Sequence, residues 1–412
     1  MRSFDALVGR TDDVINGLYR TEPFQRQRYN LQLGFSDTRY PYEQDPVWDV
    51  AYRNYPRLAH MAQCYMIGID CMKRLESEAR GSGRTQGADL ELAGELLLAL
   101  YAHDVGHGHT SHAIEGICGF DHERNGSEIM LSGSIAPIIE AGGFDPDAVA
   151  GIFCDRLRPY SDFLTSDIGV DRLAYVTADT IASGQKADFS ELENNLMFDG
   201  GGFYLREGTF TDTMLQWFLH QRAVLIETVY GSPANRSMST MYRAVFRKGM
   251  EEGLIALEDA IGTVLPQQYE LLGSLKDPRA KAIEERLSAW YPFYGVDLIV
   301  GSDQAAELER MRLSDERESV ESEIERRLGG GAIALLDTAR LPGRSKLDFM
   351  MEREGELVRA GEVIRPEVES LIDWSRSKLY AFVDPDTWLR RPRHLERTIA
   401  EVCGVDAHAK QA

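Results

Sequence analysis

Residues 88–103, ADLELAGELLLALYAH, constrain this chain more than any other segment. At about 100° per residue they set Leu92, Leu96, Ala99 and His103 on one helical face, with Asp89 placed to cap the start. The run passes directly into Asp104. A carboxylate delivered to the end of an apolar helix is costly unless it is paired or binds a metal. The chain must therefore fold other polar groups onto that point. Six of its nine histidines, His60, His103, His107, His109, His112 and His122, fall between residues 60 and 122. A lone histidine is usually a surface or hydrogen-bonded core residue, but six around a His-Asp pair point to chemistry.

His60 lies in a helical run, PRLAHMAQCYMIG. Asp171 opens a further helix, VDRLAYVTADT, on which Asp171, Arg172, Tyr175 and Asp179 fall within an arc of about 100° while Leu173 and Val176 point elsewhere. His60, His103, Asp104 and Asp171 together offer two imidazoles and two carboxylates. Such a set suits Mn, Fe, Ni, Zn or Co, with positions left open for water and substrate. It contains no thiolate, which argues against a structural zinc site. The five cysteines are odd in number and form no CxxC pair, so reduced thiols are expected rather than a disulfide scaffold.

Most of the remaining chain has helical periodicity. A helix is predicted over 166–183, capped by Ser166 and closed by Ser183-Gly184, and another over 212–230. Strand signals are confined to GGFYLREGTF at 201–210 and YGVDLIV at 294–300. From about residue 255 the chain turns rich in Glu and Arg. The expectation is a mainly α protein, with a core over 1–250, a helical accessory or assembly region over 251–412 and at most a small β-sheet.

Acidic residues outnumber basic ones 66 to 45, a formal charge of -21. That field repels nucleic-acid backbones and anionic membranes, although local arginines can still hold a small anion. The segment MRSFDALVGRTDD has no secretory apolar run, and no stretch is long enough to span a bilayer. A cytoplasmic protein without a stable nucleic-acid or membrane partner is expected.

These residues resemble the H…HD…D pattern of the HD-domain phosphohydrolase superfamily, and more closely its deoxynucleoside triphosphate triphosphohydrolase branch. FQRQRYNLQLG at 24–34 resembles that branch's FQRLRxxxQLG element, and Arg57-Leu58-Ala59-His60 its RxxH. HDVGHGHTSHAIE at 103–115 resembles HDxGHxPxxHxxE, and Asp121-His122-Glu123 corresponds to the later HE. Asp171-Arg172-Leu173-Ala174-Tyr175 with Asp179 resembles DKxxYxxxD, and Arg222 with Val229-Tyr230 resembles RxxxxxxxY. The six blocks occur in family order over roughly residues 20–245.

The resemblance implies an HD-type helical core. It makes His60, His103, Asp104 and Asp171 the ligands of a divalent transition metal, with Mg accompanying the nucleotide. His107, His112, Glu115 and His122 become the acid/base shell, with His112 or His107 favoured as proton donor. Arg57, Arg172 and Arg222 would grip a polyphosphate tail, helped by Tyr175. Gln32 and Asp179 would read the sugar 3'-hydroxyl, Leu33 crowd the 2' position and Tyr230 pack near sugar and base. The implied activity is hydrolysis of deoxynucleoside triphosphates to deoxynucleoside and inorganic triphosphate, by water activated on the metal and attacking the α-phosphorus. Another nucleotide substrate and a non-catalytic nucleotide sensor are the alternatives. The sequence departs from the branch at HMAQ after His60, at His109 in place of a proline, and at Gly231-Ser232-Pro233, where relatives carry a His-Lys pair. Simple homo-oligomerisation, without elaborate nucleotide activation, is the matching expectation.

Overall fold

The computed structural model describes residues 4–30, 32, 35, 55–82, 92–199, 202–263, 265–299, 316–338, 347, 349–363, 378–390 and 392–405. Its helices begin with α1 (Phe4–Leu18), α2 (Glu22–Arg26), α3 (Arg57–Ser82) and α4 (Ala93–Ala102). The apolar run predicted over 88–103 is α4, and its proposed cap, Asp89, lies outside the described residues. Gly94 and Leu96 through Ala102 are all buried. A helix apolar on every side must be enclosed, and α4 packs against α1, α3 and a later helix, α7 (Pro146–Phe153).

Between these, α5 (His122–Met130) starts at Asp121, whose side chain accepts from Arg124 N at 2.8 Å, and α6 (Ala136–Ala141) follows. Next come α8 (Tyr160–Thr165) and α9 (Val170–Ala182). The helix expected from Ser166 thus starts four residues later. Ser166 is extended and ends α8, and the chain turns through 166–169 before Gly169 caps α9. The far end is as expected, with Ser183 at the C-cap and Gly184 at φ +82°. The run predicted over 212–230 comprises a helix, Thr211–Leu225, that continues into a π-helical turn at Ile226–Tyr230.

The fold is mainly α, and the described residues hold two small sheets rather than one. Strands β1 (Leu196–Asp199) and β2 (Gly202–Leu205) form an antiparallel pair, in which β2 is part of the stretch predicted at 201–210. The strand predicted at 294–300 is β3 (Tyr294–Ile299). Later come β4 (Ala334–Thr338), β5 (Met350–Arg353), β6 (Glu356–Arg359) and β7 (Lys378–Val383). The sheet orders are β1-β2-β5-β6 and β3-β7-β4. Sequence reading missed β1 and β4 to β7. They are short, and apart from the β1–β2 and β5–β6 hairpins their pairing is non-local: β2 runs parallel to β5 through Tyr204–Met350 and Leu205–Met351.

That pairing carries the chain beyond residue 250 back into the larger core, where Leu347, Phe349, Met351 and Ala360 are buried with α4 and α9. A second apolar cluster gathers Met238, Met241, Tyr242, Val245 and Phe246 from the helix Pro233–Glu251 against Phe382 of β7. Among the described residues, no helix is long and apolar enough to cross a membrane.

Candidate metal centre

Three helices deliver the four expected ligands. His60 stands in the first turn of α3, His103 caps the C-terminus of α4, Asp104 follows it, and Asp171 lies in the first turn of α9. Close packing makes this possible. A Cβ on Gly68 of α3 would lie 2.3 Å from Leu100 Cδ1, so the glycine lets α3 settle onto α4. The His60 and His103 rings then meet edge to face at 5.2 Å.

Asp171 Oδ1 lies 3.0 Å from His60 Nε2 and 3.5 Å from His103 Nε2. Asp104 Oδ1 lies 3.5 Å from His103 Nε2, and its Oδ2 lies 3.7 Å from His60 Nε2. Donors held about 2.0–2.2 Å from one ion are separated by distances of this order. His103 Nδ1 is 3.0 Å from the Leu100 carbonyl, which fixes the ring and presents Nε2 to the cluster. That Nε2 is buried and has no hydrogen-bond partner among the described residues, an orphan that a cation would satisfy. The residues therefore fit a divalent cation, of unspecified identity.

Two carboxylates make the field at this point negative. Burial alone would lower the His103 imidazole, but Asp104 and Asp171 outweigh it and bring it up to about 9. Burial would raise both carboxyls, yet His103 and Arg57 hold Asp104 well below the usual range, and His103 and His60 do the same for Asp171. Arg57, only 1% exposed, ion-pairs with Asp104 Oδ2 through Nη1 and donates from Nη2 to Ser111 Oγ at 2.7 Å and the Gln32 carbonyl at 3.2 Å.

Beside this set lie His107, His112, Glu115 and His122, brought in by the turn after Asp104 and by α5. A Cβ on Gly106 would fall 2.0 Å from the His122 carbonyl oxygen and 2.4 Å from Gly126 N, so only glycine lets the turn rest on α5. His122 Nδ1 is 2.5 Å from Glu115 Oε1, and His112 Nδ1 is 3.7 Å from the same oxygen. The His107 and His122 rings stack at 3.8 Å. Burial would raise Glu115, but the two imidazoles hold it low; burial would lower His122, but Glu115 outweighs it and raises it. His107 is 1% exposed and pushed well down by burial and by Arg57, whereas the His112 side chain is 66% exposed.

A cavity of about 130 Å³ joins the two sets, with Gln32, His103, Asp104, His112, Asp171 and Tyr175 in its wall. Arg57 and His122 also line it. Gln32 Oε1 is buried there without a hydrogen-bond partner among the described residues. Leu33 lies outside the described residues. Along α9, Leu173 and Val176 are buried in the core while Asp171, Arg172, Tyr175 and Asp179 form the opposite face, as the helical spacing predicts. Asp179 accepts from Tyr55 OH at 2.7 Å and from Tyr230 OH. Tyr175 and Tyr230 pack edge to face at 6.2 Å. Arg172 and Arg222 do not point freely into the cavity, since each Nη1 is engaged by Asp167 Oδ1, at 2.8 and 2.9 Å.

Four residues here escaped the sequence reading. Cys64 Sγ lies 3.7 Å from His60 Nε2, and its i,i+4 spacing from His60 on α3 was the available signal. With His60, His103 and Asp171 it forms a group whose ligand atoms all lie within 4.8 Å of one another. Ser111, Tyr55 and Asp167 meet their partners only through tertiary packing and carry no local signal.

No protein-family model matches the chain. In sequence it is 24% identical over 246 residues to the uncharacterized protein MG461 of Mycoplasma genitalium, covering 54% of this chain and 52% of that protein. The chain thus spans about half the length of the curated relative it matches. In structure it resembles a phosphohydrolase from Bacteroides thetaiotaomicron, with a TM-score of 0.61 and 16% identity over 90% of this chain and 94% of the other. At that identity the likeness establishes a common fold, and this chain shares the helical fold of that phosphohydrolase.

Proposed function

We propose that this chain is a metal-dependent phosphohydrolase that cleaves deoxynucleoside triphosphates into deoxynucleoside and inorganic triphosphate. The observation that carries the reading is the convergence of His60, His103, Asp104 and Asp171 on one point, where the last three line a cavity beside a histidine–glutamate shell. The phosphohydrolase neighbour supports it at the level of fold.

His60, His103, Asp104 and Asp171 would hold the cation, drawn from Mn, Fe, Ni, Zn or Co, with Mg accompanying the nucleotide. When bound, the cation supplies Lewis acidity toward the phosphoryl oxygens and toward water. Water attacks the α-phosphorus, the bond to the 5'-oxygen breaks, and that oxygen takes a proton. His112 serves as the donor because it is the exposed imidazole of the shell and lines the cavity. Glu115 orients it, His122 clamps Glu115, and His107 closes the buried side. Gln32 and Asp179 read the sugar, Leu33 and Tyr230 flank it, and Arg57, Tyr175, Arg172 and Arg222 receive the phosphate tail. The enzyme works in the cytoplasm as a homo-oligomer, without a nucleic-acid or membrane partner.

One observation favours a second reading, in which the same cation site serves a nucleoside monophosphate or another small nucleotide. Arg57, Arg172 and Arg222 are each engaged by a carboxylate of the protein itself. A product assay separates the two. Metal-replete protein is given each canonical dNTP and NTP, with nucleosides followed by chromatography and phosphates by ³¹P NMR. Deoxynucleoside plus triphosphate, absent in His103→Ala, is the expected result. Release of orthophosphate or pyrophosphate would move the chain to the second reading.

A further inference from the structure

Asp167 sits in the turn between α8 and α9, 8% exposed, and neither the metal set nor the acid/base shell accounts for it. A buried carboxylate survives only with strong partners. Its Oδ1 accepts from Arg172 Nη1 at 2.8 Å and Arg222 Nη1 at 2.9 Å, and its Oδ2 from the backbone N–H of Leu347 at 3.0 Å. Arg172 leaves α9 next to Asp171, and Arg222 comes from the helix Thr211–Leu225. Two guanidiniums this close would repel each other and swing apart. A single carboxylate oxygen between them removes that repulsion and fixes both planes. The pair with Asp167 still carries one net positive charge. Each guanidinium has five N–H donors, and Asp167 engages one nitrogen of each, leaving donors over for a ligand. Arg222 also lies beside Tyr175, which lines the cavity.

Leu347 belongs to the part of the chain beyond residue 250 and is buried in the core that holds α9. Its N–H satisfies the outer oxygen of Asp167, so the distant C-terminal segment sets the inclination of the carboxylate.

We propose that Asp167 is a positioning residue that, clasped by the Leu347 N–H, holds Arg172 and Arg222 as one preorganised receptor for a polyphosphate chain. This rests on the triphosphate reading above. The C-terminal segment then contributes to substrate recognition through a backbone donor, without touching the substrate.

Asp167→Asn tests this sharply, because one amide oxygen cannot serve both the two guanidiniums and the Leu347 N–H. Inorganic tripolyphosphate is titrated calorimetrically into metal-loaded full-length protein, and KM and kcat for a turned-over nucleotide are measured alongside. D167N is expected to weaken tripolyphosphate about tenfold and to raise KM far more than it lowers kcat. A merely structural residue would instead change melting temperature and kcat with KM unmoved. On the D167N background, Arg172→Gln should cost much less affinity than on wild type. If D167N fails to fold, Asp167→Glu replaces it, keeping the charge but displacing it by one methylene, with a smaller loss in the same direction.

Wild-type protein that binds tripolyphosphate as D167N does would overturn this inference alone. Tighter binding by D167N would also overturn it, making Asp167 a competitor of phosphate. Wild-type protein with no affinity for tripolyphosphate would overturn the inference together with the triphosphate reading.

Discussion

At His103 one backbone hydrogen bond orients the ring. With Nδ1 directed at the Leu100 carbonyl, Nε2 is committed to a buried cluster of two carboxylates and a second imidazole. His103→Ala is expected to abolish stoichiometric metal content, measured by elemental analysis after gel filtration, while far-ultraviolet circular dichroism stays close to wild type. Retention of one metal per chain would remove His103 from the ligand set. Asp179 offers a second test through linkage. Burial pushes its carboxyl up to about 6, despite hydrogen bonds from Tyr230 and Tyr55 that pull it down, against an ordinary value of 3.8. The folded state thus keeps a proton that the unfolded chain releases at lower pH. Stability linked to this group is full below about pH 4 and is lost as pH rises through about 6, by up to about 3 kcal/mol. Asp179→Asn cannot titrate, so its stability in urea should improve relative to wild type across that window. A constant difference from pH 4 to 7 would exclude the group as a titrating one.

At the scale of elements, two glycines set the distances between helices, and they serve different halves of the site. Gly68 lets α3 approach α4 and so governs the His60–His103 separation. Gly106 lets the turn after Asp104 rest on the backbone of α5 and so governs where His122 stands. Gly68→Ala should weaken cation affinity and cost about 1–3 kcal/mol of stability, because the Leu100 side chain must move in a filled core. Gly106→Ala collides with backbone, which moves less readily. It should keep the cation while losing turnover, since α5 carries His122 and none of the metal ligands. Metal analysis and the product assay on both variants check this, and loss of metal from Gly106→Ala would show that the two halves are not separable. Both glycines occur in segments whose helical period or histidine content was plain in the sequence, but neither showed which neighbour it would meet.

For the molecule as a whole, the proposed ligands come from α3, the end of α4 and α9, so a bound cation would tie together three helices far apart in the chain. A cation that binds only the folded state stabilises it by mass action. Chelation should therefore lower the melting temperature by several degrees and restoration of the metal should return it. An unchanged melting curve, with metal loss verified, would argue against a cation bridging those helices. The C-terminal part of the chain is equally non-local. It supplies β5 to the sheet begun by β2 and the Leu347 N–H to Asp167, and it buries Phe382 against the helix Pro233–Glu251.

Helical period alone determined α4, the polar face of α9 and the run ending near Tyr230, because a helix writes its buried face into three- and four-residue spacing. The residue types of His60, His103, Asp104 and Asp171, amid clustered histidines, likewise make a metal site the natural expectation, since each residue type already carries its chemistry. What tertiary structure decided is who pairs with whom. Arg57 meets Asp104, Tyr55 meets Asp179, and Arg172 and Arg222 share Asp167 with a backbone amide about 180 residues away. The strand pairings β2–β5, β3–β7 and β4–β7 belong to the same class. Contacts of that kind depend on how surfaces far apart in the chain fit together, and no local period records it.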